Sequence, residues 1–270
     1  MSDEAVAPPP WTGGHVAEWA RCVLAPNPSP MTLEGTNTWV LSRPGAARAV
    51  VVDPGPDDEG HLRAVLAAVE ERGARVATVL LTHGHVDHSE GARRFAELAG
   101  AGVRALDPVY RLGDEGLTDG DVVDVDGLRI DVVAAPGHSG DSLAFVAPDD
   151  GALLTGDTVL GRGTTVVAHP DGELGPYLDT LRRLRDVALA DRLVSLLPGH
   201  GPVLPDPVQV LEYYQRHRQE RLDQVRAAVA GGATTAPEVV AVVYADVDRV
   251  LWPAAELSVR AQLAYLGLAT

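Results

Sequence analysis

The sequence predicts a layered α/β domain followed by a small helical appendage. Short β-type runs alternate with helical stretches along most of the chain, the pattern of a sheet covered by helices. The apolar fraction of 46% and charged fraction of 22% are ordinary for a globular protein, and 270 residues can bury a substantial core without disulfides. From Asp206-Pro207 onward the β-type runs stop and capped helices follow.

Residues 1–14, acidic and then Pro8-Pro9-Pro10, are expected to form a flexible N-terminal arm. Strands are expected over 16–24, 38–41 and 48–52, the last stopped by Asp53-Pro54-Gly55-Pro56. Leu62, Val65, Leu66 and Val69 at helical spacing predict a helix over 61–71. A buried strand over 76–81, a helix over 91–98, and strands over 103–106, 122–125, 128–133, 143–146 and 152–154 come next. A helix over 176–187 and a strand over 193–197 complete the main domain, taken as residues 15–205. In the appendage, residues 206–270, Asp206 caps a long helix to Ala230, Thr235-Ala236-Pro237 opens a second, and Trp252-Pro253 a third.

All 22 basic residues are arginines, so lysine Schiff-base chemistry is excluded. A net charge of −16 argues against general affinity for nucleic acid, duplex DNA in particular, or for anionic membranes. The single cysteine, Cys22, rules out an intramolecular disulfide and a cysteine zinc cage. The acidic N-terminus does not read as a targeting signal and no run is apolar enough to span a bilayer, so a cytoplasmic location is expected.

Five of the nine histidines, together with Asp87 and Asp157, fall in four motifs, each following an apolar strand and containing or adjoining glycine. They are Thr82-His83-Gly84-His85-Val86-Asp87-His88, Ala135-Pro136-Gly137-His138, Leu154-Thr155-Gly156-Asp157 and Leu197-Pro198-Gly199-His200-Gly201. Imidazole and carboxylate are the donors that zinc and similar divalent ions take when thiolate is absent. Strands ending on one edge can gather such donors from distant parts of the chain, and glycine lets the loops approach closely. His83, His85, Asp87, His88, His138, Asp157 and His200 are too many ligands for one tetrahedral ion and suit two ions sharing a carboxylate. Any one of the last three motifs alone would be an ordinary turn or cap; four ligand-type residues within positions 83–88 have little structural use.

His-x-His-x-Asp-His followed by a distant His, Asp and His resembles the metallo-β-lactamase superfamily, over about residues 15–205. The resemblance implies a four-layer αββα sandwich with a dinuclear site at one edge. His83, His85 and His138 would take one ion and Asp87, His88 and His200 the other, with Asp157 bridging and Asp53 supporting the ligands. It implies a hydrolase using a metal-bound hydroxide, with Asp87 orienting the water and taking its proton. Zinc is the expected metal, and manganese or iron accept the same donors. Asp157 stands where the commonest β-lactamases place a cysteine, which argues against β-lactam hydrolysis as the native role.

Within that superfamily, residues 27–39, Gly161 to Thr165 and Pro198 to Pro202 are similar to the beta-lactamase-like protein 2 branch, which includes a single-strand-specific endoribonuclease and is resembled by polyketide thioesterases. Cleavage of a phosphodiester such as single-stranded RNA is therefore the first expectation. Hydrolysis of a thioester of an acyl carrier, coenzyme A or glutathione is the second, and a non-catalytic metal-stabilised binding module the third. The branch carries a C-terminal winged-helix-like piece, which residues 206–270 are expected to match only in part, without a full wing. The terminal helices are expected to shape the site entrance or a contact between copies of the chain. Arg162 is weighed as an anion-binding residue against an ordinary surface arginine, and Thr36, Asn37, Thr164 and Thr165 as lining the mouth. Arg182, Arg183 and Arg185, and Arg216, His217, Arg218 and Arg221, are expected on solvated helix faces beside acidic residues.

Overall fold

The computed structural model describes residues 9–113 and 115–268. The first sheet comprises β1 (Gly14–Ala17), β2 (Ala20–Leu24), β3 (Asn37–Leu41), β4 (Arg48–Val52), β5 (Arg75–Leu80) and β6 (Gly102–Arg104), in sequence order across the sheet. Helices α1 (Glu59–Glu70), α2 (Val86–Ser89) and α3 (Ala92–Ala99) are interleaved with its later strands. The second sheet runs in mirror order from β12 (Leu204–Pro205) through β11 (Ser195–Pro198), β10 (Ala152–Gly156) and β9 (Leu143–Ala147) to β8 (Leu128–Ala134) and β7 (Val122–Val125). Helix α4 (Leu174–Ala190) connects β10 to β11, and α5 (Pro207–Ala230), α6 (Ala236–Val243) and α7 (Trp252–Tyr265) close the chain.

The two-residue period of each strand sorts its side chains into layers. On β4, Val50 and Val52 enter the core between the sheets with Trp39, Ile130, Phe145 and Leu154, while Ala49 and Val51 pack outward against Leu62, Val65 and Phe95. On β10, Leu154 faces inward and Leu153 outward, towards Tyr177, Leu181 and Leu184 of α4. Helices therefore cover both outer faces, and the architecture is the αββα sandwich.

The run over 16–24, expected as one strand, is instead the hairpin β1–β2, with Ala17 paired to Ala20 around a tight turn. Apolar character continues through the turn because Trp19 is buried in the core, which hid the break. Of the expected arm, residues 1–8 lie outside the described residues. Trp11 packs against the central core and donates from Nε1 to Asn37 Oδ1 at 2.8 Å.

Strands β4 and β5 are parallel, as are β10 and β11, and β8 runs with β10 because β9 between them is antiparallel to both. The C-terminal ends of β4, β5, β8, β10 and β11 lead directly into Asp53, Thr82-His83, Pro136 to His138, Asp157 and Gly199-His200. The sheets are tied at this edge by Leu143 N donating to Thr82 O at 2.7 Å and Asn37 N to Gly199 O at 2.7 Å. Helix α5 shares the outer core of the second sheet through Leu211, Tyr214 and Leu222, and its far end packs with α6 and α7 through Val225, Val240, Val259 and Leu263. No helix among the described residues is long and apolar enough to cross a membrane.

Candidate metal centre

The four motif loops converge on one buried cluster. His83 Nε2 and His138 Nε2 each lie 3.0 Å from His85 Nδ1, forming one group of three nitrogens. Beside it, His200 Nε2 is 3.3 Å from His88 Nε2 and 3.2 Å from Asp87 Oδ2, forming a second group. Asp157 stands between them, with Oδ2 3.2 Å from His200 Nε2 and 3.8 Å from His138 Nε2, and Oδ1 3.3 Å from His88 Nε2. All seven sequence-predicted donors are thus brought together.

Four of the five histidines are oriented from behind by their other ring nitrogen. Asp53 Oδ2 accepts from His88 Nδ1 at 2.9 Å, Val166 O from His138 Nδ1 at 2.9 Å, and Gly35 O from His200 Nδ1 at 3.1 Å. Thr82 Oγ1 lies 3.0 Å from His83 Nδ1 and itself donates to Asp53 Oδ2 at 2.6 Å. Thr82 N donates to Asp53 Oδ1 at 2.8 Å, so Asp53 holds two loops at once. It does so from a left-handed backbone, φ 51°, which aspartate tolerates better than most residues. Such partners fix the tautomer and leave the opposite nitrogen free for a metal. His85 differs: it offers Nδ1 to the cluster, and its Nε2 is 3.4 Å from Asp171 Oδ2. No spacing pattern marks Asp171, because the loop after Asp157 returns it to the site from outside the motifs.

The electrostatics suit cations. Burial would raise Asp157, but His200 and His88 beside it hold its carboxyl well below the usual range. Burial likewise opposes ionisation of Asp87, and His200 and His88 outweigh it. For His88 and His200 burial disfavours the charged ring, yet Asp157 with Asp53 holds His88 well above its ordinary value, and Asp157 with Asp87 brings His200 up to about 9. Burial foremost pushes His83 and His138 down. Asp157 Oδ1 is buried with no hydrogen-bond donor, although it belongs to an ionised carboxylate. An orphaned anionic oxygen ringed by oriented imidazoles fits divalent metal ions, which would supply the missing partner. Gly199 permits this crowding: a Cβ there would lie 2.4 Å from Asp157 Oδ1 and 2.8 Å from His88 Cε1.

Above the cluster opens a cavity of about 520 Å³. His85, Asp87, His138, Asp157 and His200 line its floor. Pro30, Met31 and Leu33 form one wall, and Val247, Leu251, Ala254, Ala255 and Leu257, in and before α7, form another. Arg162 and Thr164 are on the rim, where Arg162 Nη1 donates to Glu34 Oε1 at 2.9 Å. Thr36 and Asn37, expected at the mouth, are fully buried beneath the floor instead. Thr36 Oγ1 accepts from Asn27 Nδ2 at 2.9 Å, and Asn37 Nδ2 donates to Pro198 O at 3.0 Å and Gly201 O at 2.8 Å, clamping the His200 loop. Thr165 does line the cavity, though little of it is exposed, and its hydroxyl lies 3.2 Å from His138 Nδ1. Cys22 is buried with its thiol donating to Asn37 Oδ1 at 3.2 Å, and burial pushes its pKa far up.

The solvated-face reading suits Arg182 and Arg185, which pair with Asp179 and Asp186, and Arg183 pairs with Asp119 at 2.7 Å. It is wrong for α5. Arg218 is buried and lines the cavity with His217 and Arg221, and no carboxylate among the described residues forms an ion pair with either arginine. The signal was present in the register: Leu211, Tyr214, Arg218, Leu222 and Val225 form one helical stripe, which places Arg218 on the buried face.

Comparison with known proteins agrees with this geometry. The family model for the metallo-beta-lactamase superfamily matches residues 31–200, and that for the beta-lactamase associated winged helix domain matches residues 235–266. The second match spans α6 and α7, and no strand follows β12 among the described residues. The Drosophila melanogaster beta-lactamase-like protein 2 homolog is 31% identical, the alignment covering 90% of this chain and 86% of that one. An atrochrysone carboxyl ACP thioesterase of Aspergillus fumigatus is 34% identical, over 82% of this chain and 72% of that one. A metallo-beta-lactamase family protein of Thermus thermophilus has the same fold, with a TM-score of 0.77, 24% identity and 94% of each chain covered.

Proposed function

Because the chain belongs to the metallo-beta-lactamase superfamily and is a metal-dependent hydrolase, we propose that its substrates are acyl thioesters, cleaved at a dinuclear centre. The observation that carries this reading is the cavity, whose walls beside the metal-binding floor are built from Met31, Leu33, Val247, Leu251 and Leu257. Such walls suit an acyl chain, since each buried methylene contributes about 0.8 kcal/mol. Single-stranded RNA would call for a continuous basic groove with several aromatic platforms for the bases; the cavity has Arg162, Arg218 and Arg221 but, besides histidines, one aromatic side chain, Tyr244, and most of its wall is apolar. The thioester reading therefore moves ahead of the phosphodiester one. Its relationship to an acyl-carrier thioesterase supports the same choice.

In this proposal His83, His85 and His138 would hold one ion and Asp87, His88 and His200 the other, with Asp157, which lies between the two groups, available to either. Bound there, divalent ions, zinc foremost, supply a water acidic enough to react near neutral pH and polarise the thioester carbonyl. Asp87 belongs to the cluster and also faces the cavity, so its ionised carboxylate can accept the attacking water's proton. Asp53 keeps His88 in one tautomer, and the apolar walls exclude bulk water while fixing the acyl group over the floor. The thiolate is a good leaving group and needs no dedicated acid.

The test is to load the full chain with metal, confirm about two equivalents by elemental analysis, and assay it on octanoyl N-acetylcysteamine and on labelled single-stranded RNA. Efficient thioester cleavage with little RNA cleavage is expected. Preferential RNA cleavage would overturn the reading and restore the phosphodiester one.

A further inference from the structure

Arg218 and Arg221 on α5 face the cavity, yet the hydrolytic step uses neither. Arg218 is only 5% exposed. Its Nη2 donates to Thr165 O, its guanidinium lies 5.1 Å over the Tyr177 ring, and its Nε has no hydrogen-bond partner. Arg221 lies 4.7 Å over the Tyr244 ring and donates to Val243 O at 3.0 Å and Gln224 Oε1 at 2.9 Å. Backbone carbonyls, an amide and ring faces orient these guanidiniums but bring no negative charge. Tyr177 does not supply one either, because burial pushes its hydroxyl up to about 12.

This is unusual in a chain with a net charge of −16, where carboxylates are plentiful. Arg43 and Arg94 each sit against one, at 2.6 Å from Asp150 and 2.9 Å from Asp57. A desolvated guanidinium without a counter-charge is costly, and a second one a single turn away adds repulsion. The uncompensated field is visible at His217, which burial and then Arg218 and Arg221 push down to about 4. The recess also adjoins the metal-binding floor: Thr165, whose carbonyl anchors Arg218, has its hydroxyl 3.2 Å from His138 Nδ1.

We propose that Arg218 and Arg221 form an anion subsite inside the cavity, which takes a carboxylate or phosphate carried by the substrate away from its scissile bond. The identity of the substrate as a thioester rests on the function proposed above; the subsite itself does not. Two oriented arginines match the planar or tetrahedral oxygens of either group, and ligand binding would supply the counter-charge that the described residues do not.

Thioethers, which cannot be hydrolysed, separate this proposal from turnover. Three are titrated calorimetrically into the metal-loaded full chain: neutral S-octyl-N-acetylcysteamine, its ω-carboxylate counterpart, and S-octyl-coenzyme A for the phosphate source. At least one anionic probe should bind about tenfold or more tighter than the neutral one, the size of a buried charge-assisted contact. Arg221→Gln should erase most of that advantage, lowering anionic-probe affinity far more than neutral-probe affinity. Arg218→Lys, which keeps the charge but loses the fork, should lower it less, with circular dichroism verifying the fold of both variants. The ω-carboxylate winning places the anion on the acyl group, and the coenzyme A probe winning places it on the carrier. Equal affinity for all three probes, or equal losses for all three in Arg221→Gln, would overturn the subsite. An arginine-dependent anion preference in a protein that hydrolyses no thioester would leave the subsite standing and sink only the thioesterase reading.

Discussion

The floor and the wall of the cavity are built on opposite principles. On the floor, histidines and carboxylates leave the ends of parallel strands, and each of His83, His88, His138 and His200 is held from behind by a named oxygen. On the wall, α7 and the segment before it contribute mainly apolar surface, and α5 contributes two arginines that have no acidic partner among the described residues. Rigid donors oriented from behind suit bond breaking, which tolerates little misplacement. Apolar area and uncompensated charge suit selection of a ligand that brings its own complement. The difference suggests a division of labour: substitutions on the floor should change kcat or metal content, and substitutions on the wall should change which substrate is used.

The largest effect is expected from Asp87→Asn. The amide keeps the shape but cannot take a proton, so kcat should fall about 10²- to 10⁴-fold with the fold intact by circular dichroism. Near-normal kcat would remove Asp87 from its role. Next comes Asp53→Asn, which touches no substrate but releases His88 and Thr82; metal affinity measured by competition with a chelator should drop about 10- to 100-fold. On the wall, Leu251→Ala and Leu257→Ala should raise KM for a medium-chain thioester about three- to tenfold with kcat little changed, the signature of lost uniform binding. A fall in kcat alone would blur the division. The smallest effect on catalysis is expected from Tyr214→Phe, because the buried hydroxyl accepts from Leu160 N at 2.9 Å and bonds Gly163 O at 3.1 Å, between floor and wall. Its loss should lower stability by about 1–3 kcal/mol in thermal denaturation while kcat/KM stays within about twofold.

The same contrast explains what the sequence made legible. The floor was readable because metal chemistry restricts residue types and strand ends restrict their positions: four ligand-type residues over 83–88 have few other uses. Strands β4 and β7 and helix α5 have their predicted limits, since Asp53-Pro54, Asp126-Gly127 and Asp206-Pro207 are strong local stops. The hairpin β1–β2 was not readable, because a core tryptophan at its turn kept the apolar run continuous. Asp171 and the clamp made by Thr36 and Asn37 depend on loops returning from elsewhere, which no local pattern encodes. Arg218 falls between these cases: its place in the stripe of α5 marked it as buried, but a charge count reads any cluster of arginines and glutamates as a solvated face.

The most direct test of the division of labour is kcat/KM measured against acyl chain length, from acetyl to decanoyl N-acetylcysteamine, for the metal-loaded wild type and for Asp87→Asn. If the apolar wall holds the acyl chain, log kcat/KM of the wild type should climb with each added methylene, by up to about fourfold per carbon, until the cavity is full. Asp87→Asn should lie on a parallel line displaced downward, because the floor has been damaged and the wall has not. A flat dependence in the wild type, or a slope that disappears with Asp87, would contradict the account.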